Sequence, residues 1–99
     1  MFGLTESQLD QIKKILLENF PDKEFWIFGS RASGQFKKFS DLDIAIVASE
    51  KIDISKTLKT KEAFQNSDLP IKVDIVDYSV LTEGFKENIK KNHVVFKVF

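Results

Sequence analysis

The chain contains no cysteine, a single histidine and no excess of charge of either sign. Without thiols, disulfides and thiolate chemistry are excluded, and His93 alone leaves a structural zinc site short of ligands. Fifteen basic residues balance fifteen acidic ones, so no net field draws the whole molecule to nucleic acid or to an anionic membrane. No stretch approaches the roughly 20 apolar residues of a membrane span, and the amino terminus lacks a basic segment followed by a long apolar run. Proline and glycine are sparse, two and four among 99 residues, which argues against a disordered chain. A soluble, cytoplasmic protein is expected.

What is present is the material of one core. Hydrophobic residues make up 42% of the chain and charged residues 30%, and the length falls within the range of one domain, taken as residues 1–99. Ten phenylalanines either fill that core or mark a protein-binding surface.

Hydrophobic periodicity divides the chain into elements. Thr5 and Gln8 have capping-box spacing, and Leu9, Ile12, Ile15, Leu16 and Phe20 behind them form one stripe of a helix that ends before Pro21. Phe25 to Phe28 is wholly apolar and reads as a buried strand broken by Gly29. Ser30 to Phe39 reads as a turn or short helix and a loop. Leu42 to Val47 alternates as a strand, with Asp43, Ala45 and Val47 on one face. A weaker helix is expected over 54–65 and another strand over Ile71 to Val76. Asp77 or Ser79 is expected to cap a further helix in which Leu81, Phe85 and Ile89 cover the sheet and Lys86, Lys90 and Lys91 face solvent. His93 reads as a helix-end residue. Val94 to Phe99 reads as a last short strand or a partner-binding tail, with Phe96 and Phe99 as candidate partner contacts against an internal-core alternative. The order describes a small α/β sheet protein.

Two features carry chemistry. Asp41 and Asp43 are two residues apart at the start of a strand, so their side chains share a side and their Cα atoms lie about 7 Å apart. If the strand bearing Asp74 runs alongside, a spacing of about 4.8 Å brings in a third carboxylate. Such a cluster suits divalent ions, because unpaired buried carboxylates are costly. The plainer alternative leaves Asp41 capping a turn and Asp43 and Asp74 facing solvent. Ahead of this pair by 12 residues, Gly29 follows a strand where close approach of phosphate oxygens is possible. Ser30 can donate there through its hydroxyl, helix-terminal N–H groups add donors, and Arg31 offers a bidentate phosphate contact. An ordinary turn is the competing reading. Neither the dinucleotide fingerprint nor a P-loop is present.

Taken together, Gly29-Ser30-Arg31-Ala32-Ser33-Gly34 and Ser40-Asp41-Leu42-Asp43-Ile44-Ala45-Ile46-Val47 resemble the signature of the minimal nucleotidyltransferases of the DNA polymerase beta superfamily. Ile71-Lys72-Val73-Asp74-Ile75-Val76 resembles the strand that bears that family's third carboxylate. Ser33 departs modestly, standing where many relatives carry a second arginine or another small residue. The resemblance implies a small nucleotidyltransferase fold, a mixed β sheet with helices packed against it. It implies that Asp41, Asp43 and Asp74 hold two Mg²⁺ ions and that Gly29, Ser30 and Arg31 position ATP or another nucleoside triphosphate, with Arg31 alternatively anchoring the motif. It further implies the catalytic core alone, paired with a separate helical HEPN protein and acting as an antitoxin by transferring AMP to that partner. An inactive module that only masks the partner, a transferase acting on RNA, and a homo-oligomer remain open alternatives.

Overall fold

Thr5 opens the first helix by a reciprocal pair of bonds. Its hydroxyl accepts from the Gln8 N–H at 3.1 Å, and the Gln8 side chain accepts from the Thr5 N–H at 2.9 Å. In this computed structural model, which describes residues 1–98, helix α1 spans Glu6–Asn19. Phe20 closes it, its N–H reaching the Leu16 carbonyl at 2.9 Å, so the helix stops one residue before Pro21 is reached.

The remaining elements are strand β1 (Glu24–Phe28), a single turn of helix α2 (Ser30–Ser33), strand β2 (Leu42–Val47), helix α3 (Ile54–Gln65) and strand β3 (Val73–Asp77), then a 3₁₀ turn (Tyr78–Val80), helix α4 (Glu83–Asn92) and the two-residue strand β4 (Val94–Val95). The sheet order is β3-β2-β1-β4. β1 is antiparallel to both β2 and β4, whereas β2 and β3 are parallel. A parallel pair requires a crossover, and α3 supplies it. The result is the expected α/β fold with a mixed sheet.

Alternation along the strands gives the sheet two unlike faces. Phe25, Ile27, Leu42, Ile44, Ile46, Val73 and Ile75 join Ile12, Ile15 and Leu16 of α1, the Phe20 that closes it, and Phe64 of α3 in the main core. The opposite face carries Trp26 beside Ala45 and Val76, and Phe28 beside Asp43 and Asp74. Helix α4 lies over part of this second face. Its Phe85 meets Phe28 edge to face at 6.0 Å, and His93, at its end, stacks on Trp26 at 3.9 Å. Among the described residues, no helix is long and apolar enough to cross a membrane.

Several sequence expectations need correction. Phe25 to Phe28 is not buried throughout; Trp26 and Phe28 are half-buried because they point to the second face. α4 is capped by Thr82, whose hydroxyl accepts from the Phe85 N–H at 3.3 Å, and not by Asp77 or Ser79. Asp77 caps the 3₁₀ turn instead, accepting from the Ser79 N–H at 3.0 Å while its other oxygen holds the Ile52 N–H at 3.0 Å. Leu81 therefore precedes α4, and Phe85 is 46% exposed, leaving Ile89 as the buried member of the expected stripe. Phe96 is 4% exposed and belongs to the core rather than to a partner surface, its N–H bonded to the Phe25 carbonyl at 2.8 Å. Phe99 lies outside the described residues.

Because two of the first amides of α1 depend on Thr5 and Gln8, Thr5→Ala is expected to lower the unfolding free energy by about 1 kcal/mol. Urea denaturation should show a lower midpoint with an unchanged slope.

Candidate active site

Parallel pairing of β2 with β3 sets Asp43 directly opposite Asp74. Both are half-buried on the second face, and adjacent strands are about 4.8 Å apart. Asp41 is exposed, just before β2, where the Leu42 N–H bonded to the Lys72 carbonyl at 3.0 Å continues the pairing. The Asp43 carboxyl is pushed above its ordinary value of 3.8, first by burial, then by the charges of Asp74 and Asp41, with Lys72 opposing them. Lys72 was not singled out from the sequence. Its signal was available, since it stands two residues before Asp74 and so shares that residue's side of the strand. Among the described residues, no three acidic or imidazole side chains are grouped so that they could hold a metal ion as they stand, and the close pair is Asp43 and Asp74. The donors are nevertheless hard carboxylate oxygens in mutual repulsion, the chemistry that suits Mg²⁺.

Gly29 fits against this cluster for a definite steric reason. Its φ is +75°, and a Cβ built there would lie 2.5 Å from Asp43 Oδ2. The bare backbone thus makes room for the Asp43 carboxylate. Ser30 follows at the start of α2, half-buried, and the Ala32 and Ser33 N–H groups both turn back to the Gly29 carbonyl at 3.2 Å. Gly34, with φ +85°, ends the turn. Gly29, Ser30 and the Asp43–Asp74 pair therefore share one end of the sheet.

Arg31 does not point at this site. It is 3% exposed, and its guanidinium donates to the carbonyls of Ser40 at 2.9 Å, Phe2 at 2.9 Å and Lys38 at 3.1 Å, with the Phe36 ring 4.8 Å away. The expected phosphate contact is corrected to the alternative, an anchor that ties the loop before β2 to the amino-terminal segment. An arginine has five donors in a fixed fork, and three carbonyls from two separate stretches of chain bind that fork here.

A mixed sheet with two in-register carboxylates beside a strand-to-helix Gly-Ser turn fits the nucleotidyltransferase fold. The chain belongs to the family described as Polymerase beta, Nucleotidyltransferase, whose model matches residues 10–98. It is 43% identical over 94 residues to the probable protein adenylyltransferase MntA of Haemophilus influenzae, an alignment covering 95% of this chain and 82% of that protein. It is 33% identical over 89 residues to the protein adenylyltransferase MntA of Thermococcus cleftensis, covering 90% and 89%. The fold also matches a crystal structure of a toxin–antitoxin with AMP-PNP, with a TM-score of 0.72 at 25% identity over 88% of this chain and 70% of that one. A mutant of an MntA–HpeT toxin–antitoxin pair matches with a TM-score of 0.71 at 25% identity, over 95% and 72%.

Two stability measurements check this geometry. Arg31→Ala leaves three carbonyls without their donor and is expected to cost about 3 kcal/mol in unfolding free energy. Asp43→Asn is expected to act oppositely. Since the folded state raises the Asp43 pKa, ionisation weakens the fold as pH climbs from 3.8 through the folded value, and the penalty persists above it. In chelator-containing buffer at pH 7 the variant should therefore melt higher than the parent, with the gap closing below pH 3.8, where Asp43 is protonated in both states.

Proposed function

We propose that this chain transfers AMP from ATP to a hydroxyl group of a separate small helical protein of the HEPN type, as the antitoxin of the pair. The observation that carries the chemistry is the Asp43–Asp74 register beside Gly29. The choice of a protein acceptor is supported by the adenylyltransferase relatives, and the choice of ATP by the AMP-PNP in a structural neighbour. A neutral overall charge does not favour an RNA acceptor.

In this reading Asp41, Asp43 and Asp74 hold two Mg²⁺ ions, and the Ser30 hydroxyl with the backbone at Gly29 orients the triphosphate. Bound Mg²⁺ supplies charge neutralisation at the phosphates and a lowered pKa at the acceptor hydroxyl. The acceptor oxygen forms a bond to the α-phosphorus as the bond from that phosphorus to the β-bridging oxygen breaks, and pyrophosphate leaves with the electron pair. Asp74 is assigned to take the hydroxyl proton. It lies on β3, one of the two edge strands of the sheet. Orientation at the Gly-Ser turn contributes by holding donor and acceptor in line.

The test uses the chain, Mg²⁺, its helical partner and ATP labelled either at the α- or at the γ-phosphate. The α-label should appear on the partner and the γ-label should not. Asp43→Asn and Asp74→Asn should each reduce transfer by about 10³-fold, the scale lost when a transition-state charge contact is removed. Transfer of the γ-label would sink the reading, and so would tight masking of the partner with no transfer under any nucleotide.

A further inference from the structure

Beside Gly29 lies a slot of about 350 Å³ whose walls include Phe28, Phe85, Asn88, Ile89 and Asn92. None of the transfer steps above uses it. We propose that this slot is the nucleobase subsite of the bound nucleotide and that it takes adenine; the assignment rests on the preceding reading, in which the triphosphate lies along Gly29 and Ser30.

Three observations support the occupant. The slot is continuous with the phosphate turn, because Gly29 both lines it and abuts the Asp43 carboxylate. Phe28, the residue before Gly29, is paired with Asp43 across the sheet, so a nucleotide whose phosphates meet the carboxylates has its base within reach of this wall. The volume also falls within the range of small-molecule pockets.

The walls themselves suit a flat neutral ring. Phe85 stands 46% exposed on a helix otherwise rich in charge and amide, held edge to face against Phe28 at 6.0 Å and 85°. With that much of its surface uncovered, the Phe85 ring is open to stacking. None of the lining residues is charged, which disfavours a second phosphate as occupant.

The two asparagines add a polar edge of defined sense. The Asn92 side-chain N–H₂ donates to both the Asn88 carbonyl and the Asn88 Oδ1, each at 3.0 Å. Among the described residues this leaves Asn92 Oδ1 as an acceptor and Asn88 Nδ2 as a donor without a protein partner. An acceptor from Asn92 and a donor from Asn88 are the two kinds of group that the N6 amine and the N7 of adenine pair with.

Binding to the full chain in Mg²⁺ separates the base from the phosphates when ATP, CTP and inorganic tripolyphosphate are compared by calorimetry. Phe85→Ala should weaken ATP by about tenfold or more, the loss of one base–aromatic stack, and leave tripolyphosphate unchanged. Asn88→Ala should lower the ratio of ATP to CTP affinity. Both side chains are exposed, so the folded state survives either change. Unaltered ATP affinity in Phe85→Ala, or equal loss for ATP and tripolyphosphate, overturns the subsite. If the parent chain binds ATP no better than tripolyphosphate, the subsite falls while the phosphate site stands. If it binds neither, the subsite and the transferase reading fall together.

Discussion

Everything at the site depends on the parallel pairing of β2 with β3. Two carboxylates repel, and nothing in a free chain would hold Asp43 opposite Asp74; the hydrogen-bonded ladder from Leu42 and Val73 to Ile46 and Asp77 does so. The ladder is stabilised from the other side of the same strands, where Leu42, Ile44, Ile46, Val73 and Ile75 enter the core. Burial of apolar surface on one face therefore offsets electrostatic repulsion on the other. A strand has the property needed for this, because successive side chains point to opposite faces. The parallel sense also makes α3 obligatory, and its Phe64 seals the apolar side.

The second constraint is the way the chain reaches β2. Residues between α2 and β2 form no regular element, yet they determine where Asp41 and Asp43 begin. Arg31 collects the carbonyls of Lys38 and Ser40 from this loop and that of Phe2 from the amino-terminal segment. Gly3 is shaped to that cluster: its φ is +72°, and an added Cβ would run into the Phe36 ring and come within 3.0 Å of Arg31 Nη1. A charged side chain buried among carbonyls is a costly device. Here its return is positional, fixing an irregular loop against a rigid turn.

Much of this was legible in the residues. The capping box at Thr5, the alternating strand at Leu42 and the spacing of Asp41 and Asp43 are local signals, and each predicts local structure. The resemblance of the Gly29 and Asp41 segments to a nucleotidyltransferase signature implies the fold from the residues alone. What could not be read depends on tertiary direction. Arg31 in a Gly-Ser motif has the chemistry of a phosphate ligand, and only the fold reveals that its fork is directed inward to carbonyls. Phe85 has helical spacing with Ile89, but the start of α4 at Glu83 excludes Leu81, and Phe85 is partly exposed where Ile89 is buried. Phe96 sits near the chain end, where exposure is common, and is instead tied into the core by the strand pairing of its neighbours with β1.

His93 and Trp26 have a consequence of another kind. Trp26 is the single tryptophan in the chain, and it sits beneath the imidazole of His93, with the Tyr78 ring steeply inclined to it at 5.2 Å between centroids. His93 Nδ1 lies near the Lys90 and Ile89 carbonyls at 2.9 and 3.1 Å, so the ring is fixed to the last turn of α4. The indole is thus optically coupled to the seating of that helix on the sheet. Its emission is a built-in gauge of helix lift, free of any competing signal from a second indole.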